Sequence, residues 1–207
     1  MISHTGRIHQ FLFPSLVWKM NSPHIFLTFD DGPHPVATPK VLEILRSQSI
    51  KGTFFLSGST AEKYPSLIKD IAAENHTIGI HAFNHKRSLA FSKKNTTNEI
   101  LRTEAAIGKA GAQAIKIFRP PFGMFSWNTV AAARELGYKL IMWTTLTGDF
   151  RRNWPEEKVC ATALTKLSEG AILVFHDNEL TQSRIAPLLK DIIARIQNRG
   201  FSFQSIQ

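Results

Sequence analysis

The chain has 207 residues, of which 43 % are hydrophobic and 20 % are charged. A chain of this size and composition can bury a full hydrophobic core, which excludes a disordered protein, a collagen-like protein and a small disulfide framework. Its one cysteine, Cys160, allows neither an intrachain disulfide nor a thiolate metal cage, so any metal must be held by His, Asp or Glu. We expect one soluble globular domain.

The net charge of +9 favours acidic partners such as anionic glycans, membrane surfaces or nucleic acid. The basic residues form scattered doublets, for example Lys86-Arg87 and Arg151-Arg152, and no zinc-finger or RNA-binding aromatic motif accompanies them. This pattern is typical of a solvated basic surface, and we expect no nucleic-acid partner.

Residues 11–18 form an apolar stretch that Pro14 interrupts and Lys19 ends, far short of the ~20 residues that a membrane span needs. Residues 19–23 contain no small-x-small cleavage site, so the stretch is a poor signal peptide. We therefore predict that residues 1–23 cap one end of a catalytic domain formed by residues 24–207. The cytoplasm is the default compartment.

Short apolar or β-branched runs alternate with amphipathic segments along the rest of the chain. Seven runs have the length and composition of strands: 24–29, 52–56, 77–81, 115–119, 138–145, 171–175 and 201–206. Strands that alternate with helices need crossover connections, which predicts an α/β fold with a mainly parallel sheet, open or closed into a barrel.

Four helices have recognisable start signals. Thr38-Pro39, Ser126, Trp154-Pro155 and Pro187 precede apolar stripes, and Gly137 and Gly200 end the second and the fourth of these helices. The third helix is predicted over residues 156–167.

Polar residues occur at the ends of the predicted strands, which is where a barrel carries its chemistry. They are Asp30-Asp31, His81, Arg119, Asp149 and His176-Asp177. Consecutive side chains on a strand point to opposite sides, so Asp30 and Asp31 reach one site only through a bend, which Gly32-Pro33 can supply.

His81 and His85 have the spacing that places two imidazoles on one metal if the chain forms a helical turn after the strand. With Asp31 they make a set of two histidines and one carboxylate, which suits Zn²⁺ in hydrolysis or Fe²⁺ in oxygen activation. Oxygenases of this type usually have an antiparallel jelly roll, and the alternation of strands and helices argues against one.

Further on, Arg119 precedes two prolines that form a stiff exit from a strand, so its guanidinium can bind a carboxylate at the strand ends.

Segments 28–33, 81–85, 119–123, 143–150 and 174–177 follow one another in the order and spacing of the polysaccharide deacetylases, also called NodB-homology domains or family-four carbohydrate esterases. The chain resembles this family from about residue 24 to its end, and its layout is most similar to the compact single-domain bacterial members. The resemblance implies a distorted (β/α) barrel with about seven strands and metal-dependent removal of acetyl groups from N-acetylated sugars.

By position, the resemblance implies that Asp31, His81 and His85 hold a divalent metal, with Zn²⁺ as the first candidate and Co²⁺, Ni²⁺ and Mn²⁺ as alternatives. It makes Asp30 the catalytic base and Arg119 the residue that holds this base in place.

The resemblance also makes His176 the general acid for the leaving amine and gives the backbone N–H of Phe122 to the oxyanion. Many relatives have a carboxylate where this chain has Leu146, so Asp149 or Asp177 would have to orient His176. Without such a partner, the pKa of His176 would lie lower than in those relatives.

Two further features concern the surroundings of the site. Ala82 replaces the usual Ser or Thr of the second motif, which reduces the support for the metal ligands. The wall of the substrate site is predicted from apolar residues: Pro121, Phe122, Trp143, Phe150 and Val174.

The leading hypothesis is a hydrolase that deacetylates N-acetylglucosamine-containing glycans such as peptidoglycan or chitin-like oligomers. The alternatives are a deacylase of a formamido sugar, acetyl-xylan or a cyclic ureide, a glycan-binding pseudoenzyme that retains the metal, and a basic nucleic-acid binder. Because Asp30 and His176 are both present, catalysis is favoured over binding alone.

Overall fold

The computed structural model describes residues 4–5, 7–87 and 92–207. Its centre is one sheet of seven parallel strands in the order β5-β4-β3-β2-β1-β7-β6. The strands are β1 Phe26–Asp30, β2 Thr53–Leu56, β3 Thr77–Ile80, β4 Ile117–Phe118, β5 Lys139–Leu140, β6 Thr145–Leu146 and β7 Ile172–His176. The sheet curls into a distorted (β/α) barrel, which confirms the predicted fold class.

Helices surround the sheet and supply the crossovers between parallel strands. They are α1 Arg7–Leu12, α2 Ala37–Ser47, α3 Gly58–Lys63, α4 Pro65–Ala73, α5 Lys93–Lys109, α6 Trp127–Glu135, α7 Glu156–Leu164 and α8 Ile185–Gln197. A 3₁₀ turn, Pro121–Gly123, follows β4. No helix in the described ranges is long and apolar enough to cross a bilayer.

The structure has seven strands, as expected, but two of the predicted strands, 138–145 and 201–206, differ from the observed ones. The predicted strand 138–145 divides into β5 and β6, which lie at opposite edges of the sheet, so residues 141–144 cross the gap where the barrel fails to close. The predicted strand 201–206 is wrong, because in this segment the structure has only an isolated bridge between Phe203 and Ile25. An apolar run predicts burial, but it does not tell whether a strand edge is available for pairing.

The start signals were right for α6 and less accurate elsewhere. Ser126 caps α6 with a capping box, and Gly137 adopts φ 75° just beyond its end. The prediction that Thr38 caps α2 is wrong, because α2 begins at Ala37 and the Thr38 hydroxyl bonds residues of other segments. Helix α8 begins two residues before Pro187, which the first turn tolerates because its N–H groups need no helical partner. Helix α7 ends at Leu164, earlier than predicted.

The core lies on both faces of the central strands, as expected for a parallel sheet covered by helices. The rings of Phe29, Phe54 and Phe175 stack at centroid distances of 4.9 and 5.9 Å. In the N-terminal region, Trp18 is buried, and Val17 bridges Ile141 in the gap between β5 and β6. The division into a cap and a catalytic domain stays a prediction.

Candidate active site

The polar residues predicted at strand ends meet at one edge of the sheet. Asp30 ends β1 and pairs in register with His176, which ends β7, while His81 and Arg119 directly follow β3 and β4. They surround a cavity of about 320 Å³. Its lining residues are Asp30, Asp31, His81, His85, Phe122, Gly123, Trp143, Leu146, Phe150, His176, Asn178 and Leu180.

Four residues of this edge have left-handed backbones although none is glycine. Asp31, Ala82, His85 and Phe122 have φ values of 77, 65, 48 and 59°. Such a conformation costs about 1 to 3 kcal/mol per residue and is commonly found at functional sites. The bend that separates Asp30 from Asp31 therefore begins at Asp31 itself, and not at the following Gly32-Pro33 as predicted.

Asp31, His81 and His85 converge on one point. Oδ1 of Asp31 lies 3.1 Å from Nε2 of His85 and 3.4 Å from Nε2 of His81. This Oδ1 atom is buried and accepts no hydrogen bond from any described residue, whereas Oδ2 accepts one from the Asn178 amide at 2.7 Å. Nδ1 of His81 donates to the Arg119 carbonyl at 2.7 Å, which leaves the Nε2 lone pair for a ligand. A carboxylate oxygen without a donor beside two imidazole nitrogens fits a divalent metal such as Zn²⁺.

The segment between the two histidines is a loop, so the predicted helical turn is wrong. Glu99 of α5 holds this loop: its carboxylate accepts hydrogen bonds from the backbone N–H groups of Phe83 and Asn84 at 2.8 and 2.6 Å, and from the Asn84 amide at 2.9 Å. Sequence reasoning missed Glu99, because nothing distinguishes it from the other polar residues of an amphipathic helix.

Arg119 and Asp30 form a buried ion pair. Nη1 of Arg119 donates to Asp30 Oδ1 at 2.7 Å and to Thr28 Oγ1 at 2.7 Å. Its Nε and Nη2 donate to the carbonyls of Ile141 and Met142 at 3.1 and 2.9 Å. The guanidinium is fully buried and fixed on several sides, so it determines where the Asp30 carboxylate lies.

His176 has a carboxylate partner, and that partner is Asp149. Oδ1 of Asp149 lies 2.8 Å from Nδ1 of His176, and Oδ2 accepts the backbone N–H of His176 at 2.7 Å. Asp177 instead accepts from the Thr38 hydroxyl at 2.5 Å. Of the two carboxylates considered as replacements for the one missing at Leu146, Asp149 contacts the His176 imidazole and Asp177 contacts Thr38. The lower pKa expected for a His176 without a partner therefore does not apply.

Together, burial and neighbouring charges lower the pKa values of Asp31 and His85 and raise that of His176. Burial would raise the pKa of Asp31, but the rings of His81, His176 and His85 outweigh this effect and hold it well below its usual range. Burial lowers the pKa of His85, and His81 lowers it further. Burial also opposes the charged form of His176, yet Asp149, Asp31 and Asp30 raise its pKa to about 9. The site therefore combines one histidine whose pKa is lowered, His85, with another whose pKa is raised, His176.

Burial raises the pKa of Asp177 to about 8. Its Oδ1 is buried and has no hydrogen-bond partner in the described part of the chain, which favours the neutral carboxylic acid.

The apolar wall differs in part from the predicted one. Phe122, Trp143 and Phe150 line the cavity, but Val174 and Pro121 are buried and lie outside its lining. Leu146 takes part in the wall, together with Leu180 from the loop after β7, and neither had been assigned to it. Phe122 packs against His85 at a centroid distance of 4.4 Å, and Phe150 contacts His176 edge-on at 4.9 Å.

Comparison with known proteins agrees with this arrangement. The polysaccharide deacetylase family profile matches residues 19–141. A peptidoglycan-N-acetylglucosamine deacetylase of Bacillus cereus is 31 % identical over 188 residues, 90 % of this chain and 68 % of its own. The peptidoglycan-N-acetylmuramic acid deacetylase PdaA of Bacillus subtilis is 33 % identical over 88 % of this chain and 69 % of its own. A solved structure of the Bc1960 peptidoglycan N-acetylglucosamine deacetylase superposes with a TM-score of 0.88 and 28 % identity, covering 96 % of this chain and 95 % of that one.

The fold and the relatives define a carbohydrate-active hydrolase of the deacetylase class. The chain belongs to the polysaccharide deacetylase family, also known as the family-four carbohydrate esterases.

Proposed function

We propose that this deacetylase removes N-acetyl groups from N-acetylglucosamine-containing glycans, with a divalent metal held by Asp31, His81 and His85. The bound metal would supply Lewis acidity toward the acetyl carbonyl and lower the pKa of its water. Zn²⁺ suits two imidazoles and a carboxylate best, and Co²⁺, Ni²⁺ and Mn²⁺ are the alternatives to test.

The observation that carries the proposal is the pair of ionic contacts on either side of the candidate ligands. Arg119 holds Asp30 as a carboxylate acceptor, and Asp149 holds His176 as a cationic donor. Both Asp30 and His176 line the same cavity as the ligands. Hydrolysis of an amide needs a base to take a proton from water and an acid to protonate the leaving nitrogen, and this arrangement supplies both.

Each residue then has a defined task. Asp30 accepts the proton of the attacking water through the carboxylate that Arg119 orients. His176 keeps Nδ1 on Asp149 and donates the proton of Nε2 to the leaving amine. The backbone N–H of Phe122 binds the developing oxyanion. Leu146, with the rings of Trp143 and Phe150, encloses the acetyl methyl group.

The test is acetate release from N-acetylglucosamine oligomers and peptidoglycan with each metal added in turn. Acetyl-xylan and formamido sugars serve as the competing substrates. The Asp30→Asn variant should lose at least about 100-fold in kcat, because an amide cannot accept the proton of water. The matched control is Asp70→Asn, the same change at an exposed position of α4, which should leave kcat unchanged.

Calorimetric titration of the metal separates a lost base from a lost fold. Asp30→Asn should bind the metal as the wild type does. Metal binding by the wild type without acetate release from any substrate would contradict the proposal and favour a glycan-binding role.

A further inference from the structure

A basic groove adjoins the candidate active site. It is lined by Lys40, Arg152, Arg184, Glu179 and Leu180 with their neighbours Val36, Gln182 and Ser183, and it encloses about 570 Å³. Leu180 lines both this groove and the active-site cavity, and its side chain is 43 % exposed at the junction. A glycan strand that places one sugar in the cavity can therefore continue into the groove.

The three cations of the groove have no acidic partner among the residues that the structure describes. Within the described part of the chain, none of Lys40, Arg152 and Arg184 forms an ion pair with a carboxylate. Lys40 donates to the Gln182 carbonyl at 2.9 Å, which uses one of its three N–H donors. Arg152 is exposed at the surface of the groove.

Arg184 is fixed in place by backbone carbonyls. It donates to the carbonyls of Arg151 and Trp154 at 3.1 and 2.9 Å, and these contacts leave its positive charge uncompensated. Arg151 is held nearby, with its guanidinium 4.5 Å from the Trp154 ring and 5.8 Å from the Phe150 ring. Because Phe150 lines the cavity, positive charge extends from the cavity wall into the groove.

The one acidic residue of the groove is already engaged. Oε2 of Glu179 lies 3.1 Å from Nε2 of His34, and Oε1 accepts from the Gln182 amide at 2.5 Å. The groove lining thus carries three cations and one carboxylate, and this excess of positive charge attracts an anion.

We infer that the basic groove binds a carboxylate-bearing substituent of the glycan strand, and that this enzyme prefers acidic glycans to neutral chitin-like ones. The inference rests on the proposed function. A carboxylate is the complementary group, because Lys and Arg donate charge-assisted hydrogen bonds to it. The carboxylate belongs either to a sugar substituent such as a lactyl ether or to a peptide attached to it, and the substrates below distinguish these two sources.

The experiment compares four substrates of similar chain length by kcat/KM. They are a neutral chitin oligomer, peptidoglycan glycan strands freed of peptide, the same strands with their carboxyl groups converted to methylamides, and strands that retain their peptides. The wild type should prefer the free carboxylate to the methylamide by about fivefold to tenfold, as expected for two partly exposed ion pairs. This preference should shrink as the salt concentration rises.

The double variant Lys40→Gln/Arg152→Gln removes two charges from the groove. It should lose the preference for the free carboxylate while its kcat/KM on the chitin oligomer changes by less than about twofold. The matched control is Lys69→Gln/Lys109→Gln, which removes the same charge from exposed positions on α4 and α5 and should retain the preference. If only the strands with peptides respond to the double variant, the carboxylate belongs to the peptide.

An equal loss on all four substrates, or a wild type that prefers neither the peptide-free nor the peptide-bearing strands to the neutral chitin oligomer, would overturn the inference. Calorimetric binding of peptide-free strands to the same variants tests carboxylate binding in the groove separately from the proposed deacetylase function. If the wild type releases no acetate, the proposed function is wrong. Carboxylate binding by the groove is still supported if the double variant alone loses affinity for the strands.

Discussion

Replacing Asp149 with Asn tests the pairing that decides the protonation of His176. The amide keeps the size of the carboxylate and can still accept a hydrogen bond, but it removes the negative charge 2.8 Å from Nδ1 of His176. Burial lowers the pKa of His176 and Asp149 is the strongest influence that raises it, so in the variant this pKa should fall from about 9 towards the ordinary value of 6.5.

The size of the effect depends strongly on pH. With a pKa of about 9, about 90 % of His176 is protonated at pH 8, whereas a pKa of about 6.5 leaves about 3 %. The Asp149→Asn variant should therefore lose up to about 30-fold in kcat/KM at pH 8 and less than about twofold at pH 6. A bound divalent cation lowers the pKa in both proteins, so the separation of the two alkaline limbs is the quantity to measure.

Stability should follow the same ionisation. The folded-state pKa of His176 is raised from 6.5 to about 9, so its interactions with Asp149, Asp31 and Asp30 together contribute up to about 3 kcal/mol at about 1.4 kcal/mol per pKa unit. This contribution is fully present below pH 6.5 and is lost as the pH rises through about 9. Thermal unfolding should show Asp149→Asn to be more destabilised at pH 6 than at pH 10.

The matched control is Asp177→Asn, the same change at the buried neighbour of His176. Asp177 bonds Thr38 and not the imidazole. The alkaline limb of the kcat/KM profile of Asp177→Asn should therefore coincide with that of the wild type. Leu146→Asp should also leave the limb in place, because Asp149 already occupies Nδ1. The reasoning is refuted if Asp149→Asn loses the same factor at pH 6 and pH 8, or if Asp177→Asn moves the limb as far.

Three other predictions concern residues around the site. His85→Ala should reduce Zn²⁺ affinity by at least about 100-fold in calorimetric titration, and equal binding by variant and wild type would exclude this histidine as a ligand. Glu99→Gln should weaken metal binding by about 10-fold, because an amide accepts the loop N–H groups less strongly, and an unchanged affinity would show that the loop holds its shape without this carboxylate. For Asp177, burial raises the pKa from 3.8 to about 8, so the wild type loses stability as the pH rises through that range. In chelator-treated protein, Asp177→Asn should unfold at a higher temperature than the wild type at pH 8 but not at pH 4. Unfolding temperatures that differ by the same amount at every pH would contradict this.

The fold class and the residue types of the candidate site could both be predicted from the amino-acid sequence. Alternating strand and helix patterns imply a parallel sheet, and a parallel sheet brings the ends of its strands to one edge. For that reason Asp30, Asp31, His81 and His176 could be assigned to a common site before any contact between them was known. The signals involved are local, since each depends on a few consecutive residues.

The contacts between distant segments could not be predicted in this way and are known from the folded structure. It pairs His176 with Asp149, 27 residues away, and places Glu99 under the loop between His81 and His85. It also divides one apolar run into β5 and β6 at opposite edges of the sheet. Periodicity cannot predict such contacts, because a side chain's partner depends on how the sheet curls and on which strand edges remain available, and both follow from the packing of the whole chain.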